Sequence, residues 1–258
     1  MRISFDRVAH VYDKTRGLPN RVMSQLIERL TEELSDKRTI LDAGVGTGRF
    51  AEPLTDIGLN VVGIDIAKEM MKKAAERGLD KLLLSDVLFL PFRDSSFEVT
   101  ISIHLLHLVR GWKKALHEIC RVTTKEMISM DYRYKNPIRT AYDRLLRSHG
   151  YEPRRVGKGE WELKDIVKPS KSSFVASFNI DANETLAYLG QMVYSSQWEL
   201  PKGINDKIVS ELGARFADRL IPQELHLLVW DVEDLRDFCG NSLRPARWDT
   251  CLDEDRPT

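Results

Sequence analysis

The residues of this chain best suited to bind a ligand form a glycine loop behind a short apolar run. Residues 40–50 have the sequence ILDAGVGTGRF, with Asp42 two positions before the first glycine. Glycines at a strand-to-helix turn let the backbone approach a ligand closely at a helix N-terminus. A dinucleotide fingerprint requires a glycine three residues after Gly46, and this chain has Arg49 there. The spacing therefore predicts a smaller, cationic nucleoside ligand, with a tight turn that binds no ligand as the alternative.

Two further acids follow the next predicted strands. Asp65 lies 17 residues after Gly48, where an acid is placed to accept hydrogen bonds from both ribose hydroxyls of an adenosine. The alternative role for Asp65 is the N-cap of a helix predicted over residues 68–78, because aspartate is a favoured cap residue. Asp86 follows the third predicted strand and is placed to accept a hydrogen bond from an adenine amino group.

The elements that must position these residues alternate between strand-like and helix-like segments. This alternation predicts a parallel α/β sheet, in which ligands gather at the carboxyl ends of the strands. The predicted strands are residues 38–43, 60–65, 81–84, 98–103 and 126–131, and apolar spacing predicts helices at 19–34, 49–57, 68–78 and 112–122. The glycine loop, Asp65 and Asp86 each follow one of these strands.

The second half of the chain is more basic and less regular. Residues 133–171 contain eleven lysines and arginines against five acids, with aromatic residues among them. Such a stretch is able to bind an anionic small molecule, to bind single-stranded RNA, or to form a solvated helix face. Apolar patterns further on predict a strand at 175–180, a helix at 205–220 and a last strand at 225–230, with a frayed polar tail after Asp237.

Composition excludes several classes of protein. The 258 residues carry 39 basic and 39 acidic side chains, and this balance argues against a nucleic-acid footprint that covers the whole protein. The three cysteines are far apart in sequence, so neither a disulfide framework nor a cysteine-built zinc site is expected. The sequence has no apolar run of the ~20 residues that span a bilayer and no signal-peptide core. We therefore expect a cytoplasmic protein without a membrane span, of unknown oligomeric state.

Taken together, these motifs resemble those of the class I S-adenosylmethionine-dependent methyltransferases. Residues 44–48 resemble the first motif of that family, and Asp65 resembles its ribose-binding acid. Residues 86–92 resemble its adenine-side loop, and residues 97–108 resemble its fourth motif. S-adenosylmethionine is the cofactor that this resemblance implies.

The resemblance extends to a subgroup that methylates small molecules, including quinone rings at carbon. Residues 5–16 resemble the N-terminal lid of that subgroup, so that the resemblance covers residues 5–132 in all. It departs from the family at residues 122–125, because the family has a longer turn of sequence LKPGG there. The departure changes one edge of the molecule and leaves the cofactor motifs intact.

The pattern of elements and the resemblance together predict how the chain is organised, and the residues after 132 are interpreted as an insertion because no Gly-, Ser- or Pro-rich linker separates them from the core. The fold is expected to be Rossmann-like, with a doubly wound, mostly parallel α/β sheet and a helical, substrate-covering insertion before the last strands. The implied parts are an N-terminal lid and helix at 1–37, a cofactor-binding α/β core at 38–132, an insertion with one edge strand at 133–224, and a last strand with a frayed tail at 225–258.

The residues that the resemblance places around the cofactor come from the lid and from the core. Tyr12 and Arg16 are four residues apart and would share one face of a short helix, from which Arg16 would reach the cofactor's carboxylate. The alternative is a solvent-facing arginine beside a tyrosine that covers the core. The predicted cofactor-binding residues are Tyr12, Arg16, Asp42, Gly44, Gly46, Thr47, Gly48, Asp65, Ile66, Met70, Asp86, Val87 and Ile103.

His104 is the candidate catalytic residue, because it leaves the fourth predicted strand at its carboxyl end. An imidazole is usable as a base near neutral pH, and a base is needed if the acceptor is a hydroxyl, an ammonium or an acidic carbon. The alternative is a histidine that packs beside the cofactor and touches no substrate proton. His107 is three residues further on, but no third ligand stands at a supporting spacing, so no metal site is expected.

The sequence as a whole predicts an enzyme that transfers a methyl group from S-adenosylmethionine to a small organic acceptor, for which an anionic molecule is one option. Two alternatives stay open. The first is methylation of tRNA or of a protein, which rests on the basic stretch at 133–171. The second is a partner subunit that binds S-adenosylmethionine without catalysis.

Overall fold

The computed structural model of the chain describes residues 4–153 and 159–242, and these contain a seven-stranded sheet. Its strands are β1 (Ile40–Ala43), β2 (Val61–Asp65), β3 (Leu82–Leu84), β4 (Phe97–Ile101), β5 (Thr123–Tyr132), β6 (Lys171–Asp181) and β7 (Leu220–Asp231). Their order across the sheet is β3-β2-β1-β4-β5-β7-β6. Neighbouring strands from β3 to β5 are parallel, and β7 lies antiparallel between β5 and β6. The predicted doubly wound, mostly parallel sheet is confirmed.

The direction of the strand order reverses between β1 and β4. β1 pairs with β2 on one side and with β4 on the other, so the chain builds the sheet outward from its centre in both directions. Open α/β sheets bind their ligands at the carboxyl ends of the strands at such a reversal. All four residues of β1 are buried, as expected for a central parallel strand that is covered on both faces.

Helices cover both faces of the sheet. In the described ranges they are α1 (Tyr12–Arg16), α2 (Asn20–Leu34), α3 (Ala51–Asp56), α4 (Lys68–Glu76), α5 (Trp112–Val122), α6 (Pro137–Ser148), α7 (Gly159–Ile166), α8 (Ala182–Gly190), α9 (Lys202–Phe216) and α10 (Val232–Ser242). Successive strand residues point to opposite faces, so Ile40 packs with α2 and α3 while Leu41 packs with α5 and α10. The two apolar layers hold β1 rigidly beneath the glycine loop.

Three strands, β5, β6 and β7, extend beyond the bounds predicted from the sequence. α5 ends at Val122 and β5 begins at Thr123, so no turn separates them and the strand starts three residues earlier than predicted. β7 begins at Leu220 instead of 225. Residues 220–224 alternate between exposed and buried positions, and Pro222 and Glu224 interrupt the apolar run on which the prediction depended. β6 is likewise longer than the predicted 175–180, because it pairs with β7 along its whole length.

The insertion predicted as one block at 133–224 consists of two parts. Helices α6 and α7 precede the edge strand β6, and α8 and α9 follow it. Helices α6, α8 and α9 share an apolar cluster of their own beside the sheet, formed by residues that include Ile138, Tyr142, Leu146, Leu186, Leu189, Ile208, Leu212 and Phe216. The hydroxyl of Tyr142 donates a hydrogen bond of 2.6 Å to Oδ1 of Asn205 inside this cluster. The two parts of the insertion therefore fold against each other.

Helix α10 corrects the prediction of a frayed tail after Asp237. The helix continues to Ser242, since Val232, Leu235 and Cys239 are buried at helical spacing in the same apolar layer as α5. The remainder of the predicted tail, residues 243–258, and Arg154 and Arg155 of the basic stretch lie outside the described residues. In the described part of the chain, no helix is both long enough and apolar enough to cross a membrane.

Candidate active site

A cavity of about 1000 Å³, including the part of its mouth that is open to solvent, lies at the carboxyl ends of β1, β2 and β4. Ten of the predicted site residues line it: Tyr12, Gly44, Gly46, Asp65, Ile66, Met70, Asp86, Val87, Ile103 and His104. The other four, Arg16, Asp42, Thr47 and Gly48, lie outside its lining. The structure therefore brings most of the predicted residues to one place.

The glycine loop forms one wall of this cavity. Gly44 and Gly46 have φ angles of 80° and 56°, a left-handed conformation that L side chains rarely adopt. A Cβ atom at Gly44 would lie 3.0 Å from Cδ1 of Leu105, so a side chain there would crowd the neighbouring wall. Gly48 has a different role, because a Cβ there would lie 2.6 Å from Cδ1 of Leu79. The first glycine keeps space in the cavity, and the third lets the loop pack closely on the residues that follow α4.

The carboxylate of Asp65 holds the glycine loop in place. Its Oδ2 accepts a hydrogen bond of 2.9 Å from the N–H of Gly46, and its Oδ1 accepts one of 2.8 Å from the N–H of Ala67. Burial raises the pKa of Asp65, and the two backbone donors oppose that rise. Ala67 occupies the N-cap position of α4, so Asp65 is not itself the N-cap residue. Each carboxylate oxygen has two lone pairs, so both oxygens keep the capacity to accept a ligand hydroxyl.

The neighbouring wall combines apolar side chains with a second carboxylate. Ile66, Met70 and Val87 contribute the apolar surface. Oδ1 of Asp86 accepts a hydrogen bond of 3.0 Å from the N–H of Leu88, which fixes the orientation of this carboxylate at the cavity. An apolar wall with a hydrogen-bond acceptor at its edge suits a heterocyclic base that carries an amino group.

Asp42 lies beneath the glycine loop as a buried carboxyl group. It is 2% exposed, and its Oδ2 has no hydrogen-bond partner among the described residues. Burial, and then the charge of Asp65, raise the pKa of Asp42 to about 7, with Arg49 opposing the rise. A cationic group of a ligand beside Asp42 would stabilise the ionised carboxylate and lower this pKa.

The N-terminal segment is fastened to the core by carboxylates that sequence analysis did not find. Oδ1 of Asp13 accepts a hydrogen bond of 2.5 Å from Oγ1 of Thr47, and Oδ2 of Asp13 pairs with Arg77 at 2.9 Å. Oδ1 of Asp6 accepts a hydrogen bond of 2.7 Å from the N–H of Glu69 in the first turn of α4. Asp6 thereby supplies the cap that the N-terminus of α4 lacks. These contacts hold the segment against the cavity, where the resemblance predicts a lid.

Arg16, at the end of α1, joins the lid to the insertion. Its Nη2 donates a hydrogen bond of 3.3 Å to the carbonyl oxygen of Val193, and its guanidinium carbon lies 3.9 Å from the ring centroid of Tyr194. The solvent-facing alternative therefore does not describe this side chain. Contact between Arg16 and the carboxylate of a cofactor stays a prediction.

His104 lines the cavity just beyond β4. Its φ of 58° is uncommon for a residue with a side chain, and its ring stacks on that of Tyr132 with the centroids 6.1 Å apart. Burial, and then the charges of His107 and Arg49, lower the pKa of His104 well below its ordinary value. The imidazole is neutral at pH 7, but it is a weaker base than the sequence-based expectation assumed. Among the described residues, no group of three His, Cys, Asp or Glu side chains is arranged to hold a metal ion.

Glu160 fixes the backbone that follows His104. Its carboxylate is 5% exposed and accepts hydrogen bonds from the N–H groups of Leu105, Leu106 and His107 at 3.0, 2.8 and 2.9 Å. It also contacts Nδ1 of His107 at 3.1 Å. Burial raises the pKa of Glu160, but the hydrogen bond and charge of His107 outweigh it, so that the pKa lies below its ordinary value. Sequence analysis missed Glu160, because it is remote from His104 in the chain and belongs to no motif.

Replacing Glu160 by glutamine is expected to lower the free energy of unfolding by about 1–3 kcal/mol, because an amide nitrogen cannot accept a hydrogen bond and leaves buried N–H donors unpaired. Urea titration of the two proteins measures the difference. The matched control is Asp165→Asn, on the exposed side of the same helix, which should change stability by less than about 0.5 kcal/mol. Equal stabilities of Glu160→Gln and the wild type would contradict the role assigned to this carboxylate.

Asp42 makes stability depend on pH. Because its folded-state pKa is raised to about 7, the stability that its protonated form contributes is present at low pH and is lost as the pH rises through that value. Asparagine carries no charge, so Asp42→Asn should gain about 2–3 kcal/mol relative to the wild type between pH 5 and pH 8. Unfolding titrations at the two pH values measure this gain. The exposed Asp56→Asn is the control, and a pH-independent difference for Asp42→Asn would disprove the assignment.

Comparison with known families agrees with this geometry. Residues 41–127 match the sequence model of a family described as a methyltransferase domain. The matched segment extends from β1 into β5 and contains the glycine loop, Asp65, Asp86 and His104.

Curated relatives share part of the chain. A demethylmenaquinone methyltransferase from Renibacterium salmoninarum is 34% identical over 151 residues, which are 55% of this chain and 63% of that protein. A malonyl-[acyl-carrier protein] O-methyltransferase from Hamiltonella defensa is 32% identical over 121 residues, 46% of each chain. The alignments therefore cover 63% and 46% of the length of these two relatives, which is less than two thirds of each.

A similar fold is found among solved structures. The structure of a SAM-dependent methyltransferase from Thermotoga maritima superimposes with a TM-score of 0.55 at 18% sequence identity, and the alignment covers 88% of this chain and 97% of that one. At this level of identity the comparison establishes the fold alone. Residues 41–127 are therefore similar in sequence to a methyltransferase domain, and the order of the sheet and the motifs at its carboxyl edge agree with that similarity.

Proposed function

We propose that this chain binds S-adenosylmethionine in the cavity at the carboxyl ends of β1, β2 and β4 and transfers its methyl group to a small organic acceptor. The observation that carries the proposal is the arrangement of the glycine loop, Asp65 and Asp86 around one cavity. The similarity of residues 41–127 to a methyltransferase domain supports the cofactor, and the arrangement supports its placement.

The residues present fit the parts of this cofactor. A Cβ atom at Gly44 would crowd Leu105, so glycine lets the backbone line the cavity without displacing this wall, which suits close approach of a ligand to the backbone. Asp65 would accept hydrogen bonds from the ribose hydroxyls and Asp86 from the adenine amino group, with Ile66 and Met70 against the base. The unpartnered Oδ2 of Asp42 is a suitable neighbour for the ammonium group of the cofactor.

The chemistry of the transfer divides between cofactor and protein. Bound S-adenosylmethionine supplies an electrophilic methyl group on a sulfonium. The protein contributes position, because a fixed cofactor and a fixed acceptor replace a bimolecular encounter. The lid, held by Asp6 and Asp13, covers the cavity and limits the access of water. Removal of a proton is needed only when the acceptor atom carries one.

His104 is our candidate for the group that receives such a proton. It lines the cavity in its neutral form, and Glu160 holds the loop that follows it. Its lowered pKa makes the imidazole a modest base, so positioning contributes more to the rate than proton transfer. The acid limb of a pH–rate profile due to His104 should lie well below the ordinary imidazole range.

The basic residues of the insertion favour a small acceptor over RNA. Of the cations in the described part of this stretch, several are already paired with acids: Arg133 with Glu224, Arg147 with Glu152, Lys164 with Asp131, and Lys171 with Glu33. Four of the eight described cations of this stretch are thus engaged in ion pairs, which leaves a smaller free basic surface for the backbone of an RNA. The names of the two curated relatives point to different acceptors, so the shared half of the chain leaves the acceptor open.

Cofactor binding is tested by calorimetry with S-adenosylhomocysteine and with NAD. We expect S-adenosylhomocysteine to bind and NAD to bind at least about 100-fold more weakly, a difference of roughly 2.7 kcal/mol, because Arg49 stands where a dinucleotide fold has its third glycine. Gly44→Ala should weaken binding at least about tenfold through the crowded cavity. Gly58→Ala is the control, since Gly58 has a similar φ of 90° but open space around it. Tight NAD binding without S-adenosylhomocysteine binding would refute the proposal.

The role of His104 is tested with His104→Asn, because asparagine tolerates the left-handed backbone and carries no basic nitrogen. At saturating cofactor we expect kcat to fall about 10²-fold, with the Kd for S-adenosylhomocysteine within about twofold of the wild type. The exposed His117→Asn should change neither quantity. A loss confined to cofactor affinity would make His104 a packing residue.

A further inference from the structure

Two arginines from different parts of the chain meet on one tyrosine. The guanidinium carbon of Arg16, at the end of the lid helix α1, lies 3.9 Å from the ring centroid of Tyr194. The guanidinium carbon of Arg139, in the first turn of α6, lies 4.0 Å from the same centroid. Tyr194 itself belongs to the segment between α8 and α9. The lid and both parts of the insertion therefore converge at this cationic cluster.

The cluster has hydrogen-bond donors left over. Nη1 of Arg16 and Nη1 of Arg139 are both buried and have no hydrogen-bond partner among the described residues. The remaining contacts of these guanidinium groups are long bonds to neutral oxygens, from Arg16 to the carbonyl of Val193 and from Arg139 to Oγ of Ser196, both at 3.3 Å. An arginine side chain has five donors and no acceptor, so only an acceptor group can complete the two guanidinium groups.

No carboxylate of the described residues forms an ion pair with Arg16 or Arg139. This differs from Arg121 elsewhere in the chain, which pairs with both Glu118 and Asp94. Burial lowers the pKa of Arg16, and the nearby Arg139 adds to that lowering while the ring of Tyr194 opposes it. A buried cation without an anionic partner is energetically costly. The cluster therefore lacks an anionic partner in the described part of the chain.

The cluster lies next to the cavity but outside its lining, and the backbone oxygen of Arg16 accepts a hydrogen bond from Arg49 of the glycine loop. Tyr12, at the other end of α1 from Arg16, lines the cavity. Arg16 is near enough to contribute to the lowered pKa of His104, and it acts in the same direction on Tyr132, which stacks on His104. An anion bound at the cluster would therefore stand beside the cavity, next to the lid helix whose Tyr12 lines it.

We propose that Arg139, beside Arg16 on the ring of Tyr194, binds an anionic group, a carboxylate or a phosphate, of the methyl acceptor, so that the substrate is an organic acid or a phosphate ester. This inference rests on the function proposed above and gives the substrate class for the same site. The fork of a guanidinium matches a carboxylate or phosphate by paired hydrogen bonds, which explains arginine at both positions. The competing occupant is the cofactor's own carboxylate, which the family resemblance assigns to Arg16.

The experiment measures binding of small anions to the complex with S-adenosylhomocysteine. Inorganic phosphate, benzoate and phenyl phosphate are the anionic probes, and benzamide is the neutral analogue of benzoate. Calorimetry or ligand-observed NMR is carried out with the wild type, Arg139→Gln, Arg139→Lys and the control Arg215→Gln. Arg215 also has its guanidinium on an aromatic ring, that of Phe216, but it is exposed.

We expect at least one anionic probe to bind the wild-type complex and benzamide to bind at least tenfold more weakly. Arg139→Gln should weaken the anion at least tenfold and leave the Kd for S-adenosylhomocysteine within twofold, and Arg215→Gln should change neither. Arg139→Lys keeps the charge without the fork and should lose less than Arg139→Gln. If Arg139→Gln does not fold, Arg139→Lys is tested instead, and we expect it to bind the anion at least threefold more weakly than the wild type.

Three results would overturn the inference. The first is that none of the anions binds to a wild-type protein that binds S-adenosylhomocysteine. The second is that Arg139→Gln weakens S-adenosylhomocysteine as much as the anion, which would identify the cofactor's carboxylate as the occupant. The third is an equal loss in Arg215→Gln, which would indicate general charge attraction. Failure of the wild type to bind S-adenosylhomocysteine would instead refute the proposed function.

Discussion

The site depends first on the carboxylate of Asp65, which links the loop after β1 to the start of the helix after β2. A buried carboxylate needs hydrogen-bond donors, and the N–H groups of Gly46 and Ala67 supply them. Because both donors belong to the backbone, the loop is held without a side chain filling the cavity. Two residues further along α4, the N–H of Glu69 binds Asp6 of the lid. The shape of the loop, the start of the helix and the position of the lid therefore rest on hydrogen bonds within one short stretch, and a ligand meets a wall that is already formed.

The core could be predicted from the sequence because its signals are local. The apolar run of β1, the glycines that follow and Asp65 lie close together in the chain, and each acts through its own backbone or an adjacent strand. The contacts that sequence analysis missed join residues far apart, such as Thr47 with Asp13, 34 positions away, and His107 with Glu160, 53 positions away. Neither periodicity nor spacing links residues at such distances. The start of β7 was missed for a related reason, since residues 220–224 become a strand by pairing with β6 and not by their own apolar content.

Glu160 makes the insertion and the loop after β4 a single unit. Gly159 permits the contact, because a Cβ atom there would lie 2.2 Å from the backbone nitrogen of His107. Trp161, which follows Glu160, stacks on the ring of His107 with the ring centroids 5.0 Å apart. A change in the insertion therefore reaches the candidate catalytic loop directly. This coupling supports our proposal that the core holds the cofactor and that the insertion contributes to the selection of the acceptor.

The charges around the cavity link the binding of the cationic cofactor to the binding of an anionic acceptor. Asp65 and Asp86 line the part of the cavity proposed for the nucleoside, whereas Arg16 and Arg139 meet on Tyr194 outside that lining. A sulfonium placed between them is attracted to the acids and repelled by the arginines. If an anion occupies the arginines, that repulsion is cancelled, and the cationic cofactor is held more tightly. Linkage makes the effect reciprocal, so a cationic cofactor would strengthen the binding of an anionic acceptor by the same factor. After transfer the cofactor product no longer carries the sulfonium charge, so the attraction between the cofactor and the anionic acceptor would be absent. Both ligands would then be released more readily after the reaction than before it.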